Sequence, residues 1–266
     1  MALNAAIVRL KDADAVVAAL RGRGLDVGSD RPAHLSPAQC VLIADSIDAV
    51  ESSRSGGLVC IAISADCDAF RAAGARAVYR DASDLIDAFD DALKIASPGS
   101  AHLTHAMMES LMSRALDVAR QGMDAGEAPI GCLLAGGDGS IIATGHNEQN
   151  RTQNKTAHAE IVTFARAAGQ APLHARDLMM VSTLEPCVMC TGAAMEAAVD
   201  TILYALPAPA DSGTRRVSCP TSPESQMPRI IGSILERESR ALFEEFLRRD
   251  PRPEQKQFAE QLLELA

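Results

Sequence analysis

Over residues 1–95, short apolar runs alternate with stretches of helical periodicity. AAIVRL precedes DADAVVAALRGRG, CVLIAD precedes SIDAVESSRSGG, LVCIAIS precedes DCDAFRAAGA, and AVYR precedes ASDLIDAFDDALKIA. Repeated β–α units of this size predict a small parallel sheet covered by helices. The segment SPGSAH, residues 97–102, interrupts the pattern with Pro, Gly and Ser, and predicts a linker at 99–103.

A different pattern follows. LTHAMMESLMSRALDVARQGM repeats its apolar residues at helical spacing, with Thr104 or His105 near its start. APIGCLLAGGDGSIIATGHN places two apolar runs around GGDGS and predicts a hairpin. AHAEIVTFARAAG then reads as a helix, LMMVSTL as a strand, CVMCTGAAMEAAV as a helix and TILYAL as a strand. After a polar, Pro-rich stretch (207–228), RIIGSILERESRALFEEFLRR reads as one long amphipathic helix, and PEQKQFAEQLLELA as a last acidic one. The domains expected are an α/β unit at 1–98, a second α/β unit at 104–249, and a C-terminal helix at 250–266.

Length agrees with two units, since 266 residues exceed the usual single domain. With 47% hydrophobic and 23% charged residues, both units can bury real cores. No apolar run reaches the roughly 18 residues of a membrane span. The start, MALNAAIVRLKDADAVV, lacks a signal-peptide pattern, so no membrane partner and a cytoplasmic location are expected. The net charge of −10, acidic in both halves, counts against bulk nucleic-acid binding. So does the shortage of stacking side chains: no Trp, two Tyr and six Phe. Both features favour a small substrate. Of seven cysteines, those at 40, 60, 67, 132 and 219 stand alone and read as reduced thiols; only Cys187 and Cys190 have ligand spacing.

The chemistry concentrates in TAHAE (156–160) and STLEPCVMC (182–190). A catalytic zinc site takes three protein ligands and leaves its fourth position to water. His158 offers an imidazole nitrogen, and Cys187 and Cys190 offer thiolates, favoured by the N-terminal end of the helix they open. Pro186 suits that helix start. Glu160, two residues beyond His158, can face the water without being a ligand. A lone Cys-x-x-C could be a redox pair, and a lone His-x-Glu carries no weight. Together, each opening a predicted helix with one predicted strand between them, they form the signature of zinc-dependent base deaminases.

On these residues, positions 104–249 resemble the cytidine deaminase superfamily, in the branch of tRNA adenosine deaminases, guanine deaminases and fungal cytosine deaminases. The resemblance rests on EAPIGCLLAGGDGSIIATGHN, TAHAEI, STLEPCVMCTGA and RIIGSILERESRALFEEFLRR. It implies a three-layer α-β-α domain with a mixed sheet, and one zinc ion per chain held by His158, Cys187 and Cys190. Glu160 would move protons from water to the ring nitrogen and the leaving amine. Asn147, Ala159 and Glu185 would contact the base, and the chain would form a homodimer. The implied activity is hydrolytic deamination of a cytosine-, guanine- or adenine-type base or nucleoside, with release of ammonia.

Substrate signals conflict. DGSIIATGHN and CTGA are similar to cytosine deaminases, whereas TAHAEI, TLEPCVMC and the late helix are more like tRNA adenosine deaminases. The latter usually carry DPTAHAE, where this chain has NKTAHAE, with Asn154 and Lys155. An RNA substrate would use Arg215, Arg216, Arg229, Arg248 and Arg249, with Phe243 and Phe246 as stacking partners. The alternative reading makes these ordinary surface charges and core aromatics. A small-molecule base or nucleoside is therefore favoured over tRNA. The alternatives are a tRNA-specific adenosine deaminase making inosine, and an inactive zinc-stabilised binding module, against which the retained Glu160 speaks.

Residues 35–95 resemble the closing part of a haloacid-dehalogenase-like domain, through SPAQCVLIADSIDAVESSRSGG and AFRAAGARAVYRDASDLIDAF. The Asp-x-Asp nucleophile motif of that family is missing from NAAIVRL, and Asp45 reads as a remnant or a strand-end cap. The expected role is a Rossmann-like accessory domain without catalysis.

Overall fold

The structure is a computed structural model and describes residues 3–35, 39–55, 58–96, 103–170, 177–217 and 228–266. The first unit is a five-stranded sheet of β1 (Ala5–Arg9), β2 (Asp26–Gly28), β3 (Cys40–Ala44), β4 (Val59–Ile63) and β5 (Ala77–Tyr79). All pairings are parallel, in the order β2-β1-β3-β4-β5. Around it lie α1 (Asp14–Gly22), α2 (Ile47–Ser55), α3 (Cys67–Ala73), α4 (Ala82–Asp87) and α5 (Phe89–Ala96). Apolar clusters fill both faces, one built on Val16, Leu20 and Phe89, the other on Val50 and Phe70. A parallel sheet covered on both sides gives unbroken apolar strands, as in CVLIA. The three-residue β2 is too short and too exposed to show a pattern in the sequence.

The final helical stretch of this unit breaks at Ala88, so it forms two helices; Asp81 caps α4 by accepting the Asp84 N–H at 2.9 Å. This strand order is general to doubly wound sheets and does not by itself select the haloacid-dehalogenase family. Asp45 follows β3 and accepts the Lys11 N–H at 2.9 Å, as a strand-end cap would.

The second unit opens with α6 (His105–Asp124), capped by the Thr104 hydroxyl, which accepts from the Met107 N–H at 3.1 Å. Next come β6 (Gly131–Ala135), β7 (Ile141–His146), α7 (Gln149–Thr152), α8 (Ala159–Ala167), β8 (Met179–Leu184), α9 (Val188–Glu196) and β9 (Thr201–Leu206). Then follow β10 (Arg229–Ile231), α10 (Glu236–Arg248) and α11 (Pro253–Leu265). The sheet order is β10-β9-β8-β6-β7. β8, β9 and β10 run parallel, while β6 is antiparallel to both its neighbours. Alternation along β6 sends Leu133 and Ala135 to the core beneath α6, α10 and α11, and Cys132 and Leu134 to the core beneath α8 and α9. This is the expected three-layer arrangement.

One predicted element is corrected. RIIGSILERESRALFEEFLRR is not a single helix, because its first three residues pair in parallel with Thr201–Leu203. Ser233 (φ +61°) and Leu235 (φ +54°) then adopt left-handed backbone, which no helix can pass through. Gly232, just before them, is required as glycine, since a Cβ there would lie 2.3 Å from the Tyr204 ring. Phe243 and Phe246 are core residues, 0% and 4% exposed.

The two units meet at the β10 edge, where α2 touches β10. Buried Asp200 lies between two arginines there. Arg229 Nε is 3.6 Å from one of its oxygens, and Arg76 Nη2 is 3.6 Å from the other. Arg229 is thus an interior residue and not an RNA contact. The expected linker falls mostly outside the described residues. Among the described residues no helix is long and apolar enough to cross a membrane.

Candidate metal centre

His158 and Cys187 occupy equivalent places: each is the N-cap residue of its helix, α8 and α9, in extended conformation. Cys190 sits in the first turn of α9. The two helices pack against one face of the sheet, with β8 running between the motifs in sequence, so their N-terminal ends converge. The Cys187 and Cys190 sulfurs are 3.6 Å apart, and each is 3.6 Å from His158 Nδ1. Zinc bonds of about 2.3 Å to sulfur and 2.0–2.1 Å to nitrogen, at tetrahedral angles, require edges of roughly 3.5–3.8 Å. The donor set and its spacing fit zinc. Among the described residues this is the group of His, Cys and acidic side chains close enough to hold a metal.

The thiols are unequal. Cys187 is lowered to about 4, first by its hydrogen bond from Cys190 and then, against some burial, by His158. The same bond, with burial, pushes the Cys190 thiol up.

Glu160 lies in the first turn of α8 and is 3% exposed. Ser182 Oγ, on β8, donates to one carboxylate oxygen at 2.9 Å, and the Cys190 thiol donates to the other at 3.3 Å. Burial pushes the Glu160 carboxyl up, only partly countered by these bonds and by His158. Sequence reasoning missed Ser182; its one signal is being one of two hydroxyl residues, with Thr183, in an otherwise apolar strand that ends just before the Cys-x-x-C motif.

A cavity of about 570 Å³ opens onto this group, reaching His158, Glu160 and Cys187 on its floor. Buried Asn147 lies in its wall, its amide donating to Gln149 Oε1 at 2.9 Å. Ala159 is fully buried, and its carbonyl accepts from Thr163 Oγ1 at 2.7 Å. Its methyl is not part of the wall, so any contact from Ala159 would come from its backbone N–H.

Glu185 borders the cavity, but its carboxylate is turned to the loop after β9. It accepts from the Ala208 N–H at 2.9 Å, from Thr214 Oγ1 at 2.5 Å and from Ser212 Oγ, with Arg215 Nε at 3.6 Å. These bonds make Glu185 an anchor for the loop at the border of the cavity. The anchored loop presses on the Cys-x-x-C turn. The Gly213 N–H donates to the Pro186 carbonyl at 2.9 Å, and a Cβ on Gly213 would stand 2.2 Å from the Cys187 carbonyl carbon. It also brings Asp211 into the cavity wall. The remaining side is the start of α11, where its N-cap Arg252 and its residues Glu254, Gln255 and Phe258 line the cavity. Phe258 meets Phe243 edge-on at 6.3 Å, which ties this helix to the core.

Residues 106–206 match the family described as the cytidine and deoxycytidylate deaminase zinc-binding region. This segment of the chain belongs to that family. His158, Cys187 and Cys190 all lie inside it. Among curated relatives, tRNA(Ile)-lysidine synthase of Deinococcus radiodurans is 37% identical over 98 residues, covering 36% of this chain and 17% of that protein. The tRNA-specific adenosine deaminase of Streptococcus pyogenes is 35% identical over 94 residues, covering 35% of this chain and 58% of that one. The chain spans less than two thirds of the length of either. A solved structure from work on A-to-I editing by tRNA:A34 deaminases at the wobble position of transfer RNA is 31% identical. It covers 50% of this chain and 98% of its own, with a TM-score of 0.43.

Proposed function

We propose that this chain is a zinc-dependent hydrolytic deaminase, converting an amino-substituted nucleobase to its carbonyl counterpart and ammonia. The carrying observation is Glu160, a buried carboxyl held by Ser182 and Cys190 beside three metal-ligand atoms at zinc spacing. A purely structural zinc site has no use for it. When bound, zinc supplies a Lewis acid that makes water nucleophilic near neutral pH.

The protein's own groups do the rest. Glu160 takes a proton from the attacking water as the new C–O bond forms, and passes it to the ring nitrogen. A second proton, relayed by the same carboxyl, reaches the exocyclic amine as the C–N bond breaks. A carboxyl pushed up by burial is suited to both accepting and returning protons. Asn147 presents its amide in the wall, where it can hold the base edge. Ammonia release from cytosine, guanine, adenine, their nucleosides and an RNA stem-loop, using zinc-loaded protein, tests the reading. Silence across the panel would leave a binding module.

On substrate, the support favours adenosine in tRNA over a free base. The named tRNA-specific adenosine deaminases are 29–35% identical to this chain over 94–104 residues. The acidity that spoke for a free base belongs to the whole surface, whereas the cavity lining sets Lys155 and Arg252 beside Asp211 and Glu254, so cations are available to a phosphate there. Steep salt dependence of RNA binding is the expected signature.

A further inference from the structure

Beside the metal cavity lies a second one of about 420 Å³. The two share a wall formed by Asn150, Arg252 and Gln255. Three arginines line this side chamber, Arg151, Arg249 and Arg252, against one carboxylate, Asp250. In a chain of net charge −10 that is a local reversal of sign. The backbone creates it. Asp250 takes left-handed conformation (φ +51°) at the turn from α10 to α11, which brings Arg249 and Arg252 onto the same chamber. The facing wall is fixed from below, since buried Glu127 accepts the N–H groups of Asn150 at 3.1 Å and Arg151 at 2.7 Å.

The three cations are not equivalent. Arg151 is paired with Glu148, and Arg249 with Asp124 and Glu245. Arg252 makes no ion pair among the described residues; its Nη1 donates to the Asn150 side-chain oxygen at 3.3 Å. It is exposed, stands on the shared wall, and keeps most of its planar fork of donors for a ligand. A guanidinium so placed suits phosphate better than a carboxylate-free apolar ligand. A base beside Glu160 would direct its sugar and phosphate toward an exit, and the chamber behind Arg252 offers one lined by three arginines, of which Arg252 is without an ion pair among the described residues.

We propose that this chamber is the subsite for the phosphate of the substrate, with Arg252 as its principal ligand and Arg151 and Arg249 in support. The deaminated base is then part of a nucleotide or polynucleotide, not free. The inference rests on the deaminase reading of the adjoining cavity and deepens it. Mononucleotide and RNA present the same phosphate chemistry, and the test separates them.

Calorimetry on the zinc-loaded Glu160→Gln protein would compare adenosine, its 5′- and 3′-monophosphates, and an RNA stem-loop with an unpaired adenosine. At low salt the phosphate-bearing ligands should bind about tenfold or more tightly than adenosine, the factor expected for one charged hydrogen-bonded contact. Arg252→Ala, an exposed site whose loss leaves the core intact, should remove most of that preference, and Arg151→Ala/Arg249→Ala a smaller part. A preference confined to the stem-loop, with a salt slope that falls by about one on losing Arg252, identifies RNA; a preference already full in a mononucleotide identifies the small ligand. A preference below about twofold, or one that survives both variants, overturns the subsite. Arg252-dependent preference in a protein that releases no ammonia from any ligand would sustain the subsite while sinking the deaminase reading.

Discussion

Both sheets of this chain bury cysteines as raised thiols, while the helix start that follows β8 sets another cysteine to the opposite use. On β4, Cys60 is sealed among apolar neighbours, and burial pushes its thiol up to about 12. Cys132 on β6 is likewise pushed up by burial. Cys187, by contrast, is held at about 4, because it stands at a helix start where Cys190 and His158 reach its sulfur. Residue type does not decide reactivity; the convergence of element ends does. The parallel sheet has its own edge of this kind, at the carboxyl ends of β1 and β3 where doubly wound folds place ligands. Its acid, Asp45, is engaged by the Lys11 N–H. Among the described residues, the group able to hold a metal lies in the second unit.

The most severe way to break that contrast is to remove a ligand. Cys187→Ala should abolish stoichiometric zinc, read by elemental analysis, and with it all turnover. Retention of one zinc per chain would mean that the ion is held elsewhere. Glu160→Gln is the next largest: zinc content should be unchanged while kcat falls by roughly 10²–10⁴-fold, the range lost with a general acid–base group. Near-normal turnover in the metal-loaded variant would remove Glu160 from the chemistry.

The junction of the two units gives the third. Asp200→Ala leaves Arg229 and Arg76 facing each other with their shared counter-charge gone, and Arg229 is 2% exposed. Stranding a buried charge costs about 3–5 kcal/mol. Urea unfolding should show that loss and separate into two transitions as the units uncouple. A change under about 1 kcal/mol would mean that the units are held by apolar contact alone.

These predictions divide according to how far each residue was legible. His158, Glu160, Cys187 and Cys190 could be read because helix starts fix their geometry over a few residues. β10 could not. Arg-Ile-Ile fits a helical stripe as well as a strand, and only pairing with β9, more than twenty residues earlier, decides it. Glu185 was near the site by adjacency to Cys187. The direction of its carboxylate depends on donors from Ala208, Ser212 and Thr214, which no local pattern reveals. Ser182 reaches Glu160 from a strand, while Asp211 and Arg252 reach the cavity from a loop and from the start of a terminal helix, so they share no spacing in the sequence.

The smallest expected effect is the sharpest test of the contrast. Asp45 stands where the first sheet would hold its chemistry, yet its contact is the backbone N–H of Lys11 at 2.9 Å. Asparagine keeps an acceptor of the same shape in the same place and removes only the charge. If the acid is a cap, Asp45→Asn should lower stability by about 1 kcal/mol or less, the difference between a charged and a neutral hydrogen bond. Ammonia release should change less than about twofold. The competing view gives Asp45 a role with magnesium and a phosphate ester. It predicts that the full chain hydrolyses p-nitrophenyl phosphate in the presence of magnesium, and that Asp45→Asn abolishes this while deamination continues. Observing that loss would make the first unit a second catalytic one; its absence, together with an unchanged deamination rate, would leave all the chemistry in the unit that carries His158.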